Sequence, residues 1–348
     1  MTHRPRPLRT LAAGAAVLAL LGVAGCAESD GGSSGSGSSD VLHVYSGRHY
    51  DVEKAFAQFE EETGIQVEFL TGNDAELRER IAAEGESTEA DVYLTVDAGN
   101  LATAAADGLF QPMDSPALDA VIPEQYRDPE GRWYALALRA RTIIYNPDLI
   151  DEADVPTTYE ELADPEWKGR VCMRNAANGY QQSLVASLIA EHGDDEALEI
   201  VEGWADNAEI YANDVEIIQA VDAEACEVGV ANHYYLARAL DEDPDLAVDL
   251  IWANQGAGGT HVNISGGGIT RYADNPELGQ RFLEWLGTDG QGVLVDGNFE
   301  LPANDTVEPV QLVVDRFGVD FERQDIPASE IGELNPDAVR IMDEANFG

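Results

Sequence analysis

Phenols and one imidazole are the side chains in this sequence best suited to chemistry. Tyr234 and Tyr235 stand side by side in Glu227-Val-Gly-Val-Ala-Asn-His-Tyr-Tyr-Leu-Ala-Arg238, just after an apolar run at residues 228–231. His49 and Tyr50 follow a second short apolar run, and Tyr180 opens a stretch with helical spacing. An ionised phenol is a hard anionic oxygen donor, the kind that a small, highly charged cation such as Fe3+ prefers. A free phenol ionises only near pH 10, so phenolates at neutral pH require the attraction of a multivalent cation. Such binding releases protons and weakens in acid. The set His49, Tyr50, Tyr180, Tyr234 and Tyr235 therefore reads as a site for a hard trivalent ion, with ferric iron the expected cargo and His49 a neutral imidazole ligand. Three phenolates neutralise the ion and a fourth leaves one negative charge. Arg48 is placed to offset it, and Arg139 or Arg141 could do so or hold a small co-bound anion.

Singly, none of these residues is specific, because a buried tyrosine is usually core with a satisfied hydroxyl. Tyr145, in an apolar run before Asn146-Pro147, reads as structural, and so do His192 and His261. The same tyrosines admit a second reading, an aromatic cage for an organic cation or a site for another anion. An enzyme finds no support: the chain has no Cys-x-x-Cys, His-Glu-x-x-His or Gly-Lys-Ser/Thr motif, and Gly-x-Ser-x-Gly occurs only at Gly31 to Gly35, inside a Gly/Ser-rich stretch rather than at a strand-to-helix elbow. The acidic stretch from Asp241 to Asp245 is no calcium loop, since Leu246 and Trp252 stand where glycine and glutamate are needed. Gly266-Gly267-Gly268 reads as a bend rather than a phosphate cradle.

Adjacent residues of a straight strand point to opposite faces, so Tyr234 and Tyr235 must lie past the strand end, in a turn or first helical turn. That is where open α/β sheets bind ligands. Strands are expected at 42–45, 65–70, 91–96, 133–145, 169–173, 228–231 and 247–252. Helices are expected at 51–62, 74–84 (capped at Asn73-Asp74), 100–107, 181–192, 196–207 and 276–286, with a helix and turn at 159–167. This alternation implies an α/β fold with a parallel sheet flanked by helices. The long run 133–145 and the Gly-rich run 256–269 are candidate crossings between two lobes, and so candidate hinges for closure.

The 348 residues leave room for two domains, and 44% apolar content supplies their cores. A net charge of −46, from 66 acids against 20 bases, excludes a nucleic-acid partner and disfavours polybasic docking on lipid. Arg4, Arg6 and Arg9 precede an apolar run at 11–25, the pattern of a secretory signal. The run is shorter than the ~20 residues that a membrane span needs. Residues 27–40 form a Gly/Ser-rich tether. Val-Ala-Gly-Cys26 resembles the lipobox of bacterial lipoproteins, which implies cleavage before Cys26, a lipid on its thiol, and anchoring at the outer face of the cell membrane.

Several segments together resemble the periplasmic ferric-iron-binding proteins of ABC importers, most like the cyanobacterial Fut-type branch. They are Tyr45-Ser-Gly-Arg-His-Tyr50, Leu94-Thr-Val-Asp-Ala-Gly99, Arg139-Ala-Arg-Thr-Ile-Ile-Tyr-Asn146, Trp167-Lys-Gly-Arg-Val-Cys172, Tyr180-Gln-Gln-Ser-Leu-Val-Ala-Ser187, Asn232-His-Tyr-Tyr-Leu-Ala-Arg238 and Gly259-Thr-His-Val-Asn-Ile-Ser-Gly266. The resemblance implies a two-lobed class II fold: residues 41–137 plus about 260–305 in one lobe, about 138–259 plus about 306–348 in the other. It implies iron in the interlobe cleft on Tyr50, Tyr180, Tyr234 and Tyr235, with His49 matching a histidine that only some members use. Members differ over a carbonate-like anion. It also implies a non-enzymatic monomer that delivers iron to a permease and its ATPase, and a Cys172–Cys226 disulfide. Two departures stand out. Gly179-Tyr180-Gln181 replaces Ile-Tyr-Asn, and His233 replaces a threonine.

Overall fold

The structure, a computed structural model, describes residues 41–48 and 52–348. The signal segment, Cys26 and the tether lie outside the described residues, as do His49 and Tyr50. The chain opens with β1 (Val41–Ser46), α1 (Val52–Thr63), β2 (Gln66–Thr71), α2 (Asp74–Glu84), β3 (Val92–Thr95) and α3 (Ala98–Ala106). Helix α1 forms because Val52, Ala55, Phe56 and Phe59 share one face, and that face is buried. Helix α2 starts where the Asn73 side chain accepts from the N–H groups of Ala75 and Glu76, and α3 where Asp97 accepts from Asn100. Strand β1 pairs in parallel with both β2 and β3, as crossover helices require.

After α4 (Pro116–Asp119) comes β4 (Tyr134–Tyr145), buried along its whole length. Then follow β5 (Val171–Arg174), α5 (Gly179–His192), α6 (Asp194–Asn207), β6 (Ala208–Tyr211), α7 (Asp214–Asp222), β7 (Val228–Asn232), α8 (His233–Glu242) and β8 (Asp249–Ile251). The chain continues through β9 (Val262–Ile269), α9 (Pro276–Gly287), α10 (Gln291–Asp296), β10 (Leu301–Pro302), α11 (Gln311–Phe317), α12 (Ala328–Glu333) and α13 (Asn335–Glu344).

Strand order is β2-β1-β3-β9-β4-β7-β5-β6, with β8 and β10 also on β4. Strand β4 is shared between two half-sheets. From Tyr134 to Ala140 it pairs with β9, and from Arg141 to Tyr145 with β7. The fold is thus α/β and two-lobed, each lobe a mixed sheet with helices on its faces. Strand β4 and the return from β8 to β9 cross between them. One core gathers Leu42, Phe56, Phe59, Phe282 and Leu283; the other gathers Trp167, Leu184, Trp204, Val228 and Met342. Helix α12 packs on both α3 and α5, so the C-terminal segment touches both lobes.

Two expectations need correction. Residues 159–167 make two 3-10 turns, Glu161–Ala163 and Pro165–Trp167, instead of a helix. Pro165 has no N–H to extend the first turn, and the Glu161 carboxylate takes the N–H groups of Thr157 and Thr158. Gly266, Gly267 and Gly268 are not a bend but part of β9, opposite Thr95, Leu94 and Tyr93. A Cβ on Gly268 would lie 2.3 Å from the carbonyl oxygen of Arg132, so the bare backbone permits a close approach. Strand β6 and the start of α7 were not foreseen. The partly exposed β6 has no strong alternation to announce it.

Candidate metal centre

Strand β7 ends at Asn232 and α8 begins at His233, so Tyr234 and Tyr235 sit in the first helical turn past a strand end. Their rings lie 4.3 Å apart between centroids, with planes tilted by 31°. Tyr180 is the second residue of α5, whose first turn is capped by the Asn178 side chain accepting from Tyr180 N–H at 2.9 Å. The Tyr234 hydroxyl donates to the Tyr180 hydroxyl across 3.5 Å. The N-terminal turns of two helices thus present their phenols at one place, and the positive end of each helix dipole favours negative charge there. Tyr180, Tyr234 and Tyr235 come together, whereas Tyr50 and His49 lie outside the described residues.

Ionising these phenols is costly without a cation. Burial pushes the Tyr234 hydroxyl well above the ordinary phenol range, Tyr180 and Tyr235 push it further, and Arg139 pulls the other way. The Arg139 guanidinium stands over the Tyr180 ring at 4.9 Å and approaches Glu300 at 3.6 Å. The other two arginines expected to balance charge face buried carboxylates. Arg48 pairs with Glu300 at 2.5 Å and donates to the Leu294 carbonyl at 2.6 Å. Arg141 pairs with Asp214.

Sequence reasoning missed Asp214, Glu300, Arg174 and Asp97. Asp214 is fully buried at the first turn of α7, accepting from Arg141, Arg174 and the Asn232 N–H. Burial opposes its charge, but the two guanidiniums and the Asn232 N–H outweigh burial and hold its carboxyl below the usual range. Asp97 caps α3 and lies against the first turn of α5, within 3.5 Å of where a Cβ on Gly179 would stand. Asp97 lies within the Leu94 to Gly99 motif and Asn213-Asp214 carries a capping pattern, whereas no such signal singles out Glu300 among 66 acids.

The remaining groups have structural partners. Cys172 and Cys226 form a disulfide with Cα atoms 5.9 Å apart. It ties β5, the strand before Tyr180, to the chain entering β7. His233 is buried, its Nδ1 accepting from the Ala140 N–H at 3.2 Å, and burial lowers its pKa to about 4. His261 bonds Ser183 and Gln324. His192 pairs with Glu160 at 2.8 Å. With Glu191 these two form a second group of metal-type donors among the described residues, free of phenols.

Residues 87–315 match the family described as bacterial extracellular solute-binding protein. The chain is 39% identical over 321 residues to iron uptake protein A1 of Synechocystis, covering 89% of this chain and 88% of that protein. It is similar to the Trichodesmium protein IdiA (FutA), solved in complex with iron and citrate, with 37% identity, a TM-score of 0.83, and 88% of this chain and 100% of that chain covered. It is also similar to apo FutA2 from Synechocystis, with 35% identity, a TM-score of 0.82, and 89% and 100% covered.

Proposed function

We infer the cargo from one premise: the chain belongs to the bacterial extracellular solute-binding proteins. It binds Fe(III) in the cleft between its lobes and delivers it to the permease and ATPase of an ABC importer. The carrying observation is the meeting of Tyr180, Tyr234 and Tyr235, with two hydroxyls 3.5 Å apart in a largely buried site. Two neutral phenols gain only a weak hydrogen bond from that placement. A small trivalent cation turns it into a set of hard anionic donors. The relatives named for iron uptake, and the similar structure solved with iron and citrate, support the same cargo.

In this reading Tyr50 and His49 complete the ligand set, and Arg139 offsets surplus negative charge. Arg48 and Arg141 serve through the carboxylates they hold, and a small anion such as carbonate is an optional companion. One lobe comprises residues 41–137 plus about 260–305, the other about 138–259 plus about 306–348. Cys26 carries the lipid that anchors a monomer to the outer face of the membrane. No described helix is long and apolar enough to cross a membrane. The protein is a carrier and not an enzyme. An aromatic cage for an organic cation fits less well, because protein guanidiniums already stand over the Tyr180 ring.

Iron loading tests the reading. The expected result is a visible phenolate-to-Fe(III) charge-transfer band with one iron per chain by elemental analysis. A colourless, metal-free protein after loading overturns it.

A further inference from the structure

Arg174, the last residue of β5, lies beside the phenols and was not among the arginines expected there. Its guanidinium carbon is 5.4 Å from the centroid of the Tyr180 ring, which Arg139 approaches at 4.9 Å. Its side chain is only 12% exposed and ion-pairs with Asp214, which is fully buried. Asp214 does three things at once: it holds Arg174, it holds Arg141 of β4, and it accepts the N–H of Asn232 at 3.0 Å. Asn232 is the residue from which α8 launches Tyr234 and Tyr235. One carboxylate therefore ties the interior of β4 to the ends of β5 and β7, the strands that lead into the two tyrosine-bearing helices.

Charge logic agrees with this placement. Burying a guanidinium is costly unless it is paired. Asp214 supplies the pairing, its Oδ2 accepting from Arg174 and its Oδ1 from Arg141. In a chain with 20 bases against 66 acids, a cation withdrawn from solvent to a phenol cluster is not there for solubility.

We propose that Arg174 is a further cation of the cargo site, positioned by Asp214, that offsets the negative charge of the Fe(III)–phenolate complex. This rests on the ferric reading above. Arg174 holds its charge over Tyr180, while Asp214 fixes its position and keeps the guanidinium from withdrawing. Arg174 thus strengthens the binding of an anionic iron complex. It also eases one-electron reduction of the bound iron, since reduction adds negative charge next to a fixed cation.

The test uses the full chain with its disulfide, loaded with Fe(III). Arg174→Met leaves Asp214 paired with Arg141. It is expected to weaken Fe(III) binding at fixed neutral pH by about tenfold or more in competition with citrate. It should also lower the reduction potential of the bound iron by about 60 mV, the one-electron equivalent of tenfold. Loss of packing alone gives no such shift in potential. Arg174→Lys, which keeps the charge, should restore most of the potential. Asp214→Asn should weaken binding in the parent protein and add less than that on top of Arg174→Met, because then there is no Arg174 charge to position. If Asp214→Asn does not fold, the two Arg174 variants decide. Parent-like affinity and potential in Arg174→Met overturn this inference alone. A parent protein that takes up no iron overturns the ferric reading and this inference with it.

Discussion

The Tyr234 hydroxyl donates to the Tyr180 hydroxyl across 3.5 Å, joining the first turn of α8 to the first turn of α5. The two residues are 54 positions apart in the chain, and the contact exists only because β5 and β7 lie side by side. Replacing either phenol by phenylalanine removes one oxygen and almost no packing. Tyr234→Phe and Tyr180→Phe are each expected to weaken Fe(III) binding by ~100-fold or more, about 3 kcal/mol, while the unloaded protein keeps its melting temperature. Citrate competition and calorimetry check the two halves of that statement.

Iron uptake should release protons. Burial holds the Tyr234 hydroxyl in its protonated form at neutral pH, and Tyr180 and Tyr235 reinforce that. Each phenolate formed on binding therefore frees one proton, and affinity rises with pH. Potentiometric titration during loading counts them: about three to four are expected from a set of tyrosinates. Release of fewer than two points to another donor set.

His261 makes stability depend on pH in mild acid. Burial lowers its pKa to about 4 from 6.5, and its neutral ring bonds Ser183 and Gln324. Between those two pH values the unfolded chain binds more protons than the folded one, so stability falls as pH drops through the window. The full effect is about 3 kcal/mol. Urea unfolding at pH 7 and pH 4.5 should show it, and His261→Gln should flatten the difference.

The Cys172–Cys226 bridge closes a loop with a sequence separation of 54. Chain-entropy reasoning assigns such a loop about 4 kcal/mol. Reduction, or Cys172→Ser with Cys226→Ser, should lower unfolding stability by an amount of that order. Alkylation should change the mass at these positions only after reduction.

Gly268 tests the corrected reading of the glycine run. An added Cβ would lie 2.3 Å from the Arg132 carbonyl and 2.8 Å from the Phe110 ring. Gly268→Ala should cost roughly 1–3 kcal/mol as overpacking, measured by denaturant unfolding. Gly292, where a Cβ would meet nothing within 4 Å, serves as the control.

Much of the architecture is local and so was legible in the chain. Period and capping marked α1 and α2, and the long apolar run marked β4 as shared between lobes, because side-chain spacing and orphan N–H groups are properties of neighbouring residues. The rule that adjacent strand residues face apart placed Tyr234 and Tyr235 beyond the strand, and the family's motifs singled out Tyr180. Where local pattern was ambiguous the reading failed. Tyr159 to Trp167 looked helical until Pro165 and the Glu161 side chain took the bonds a helix needs, and the three glycines of β9 looked like a bend.

By itself the sequence determined where the candidate phenols stand, Tyr234 and Tyr235 just past a strand end and Tyr180 at a helix start, because that placement follows from the spacing of neighbouring residues. Tertiary structure alone decided the charges that surround those phenols. Arg48, Arg139, Arg141 and Arg174 differ little as letters, yet Glu300 claims the first, Asp214 the third and fourth, and Tyr180 lies under the second and fourth. The physical reason is distance. An ion pair or a cation over a ring is settled within a few ångströms in space, and all of these partners except Arg174 and Tyr180 lie tens to hundreds of residues apart in the chain.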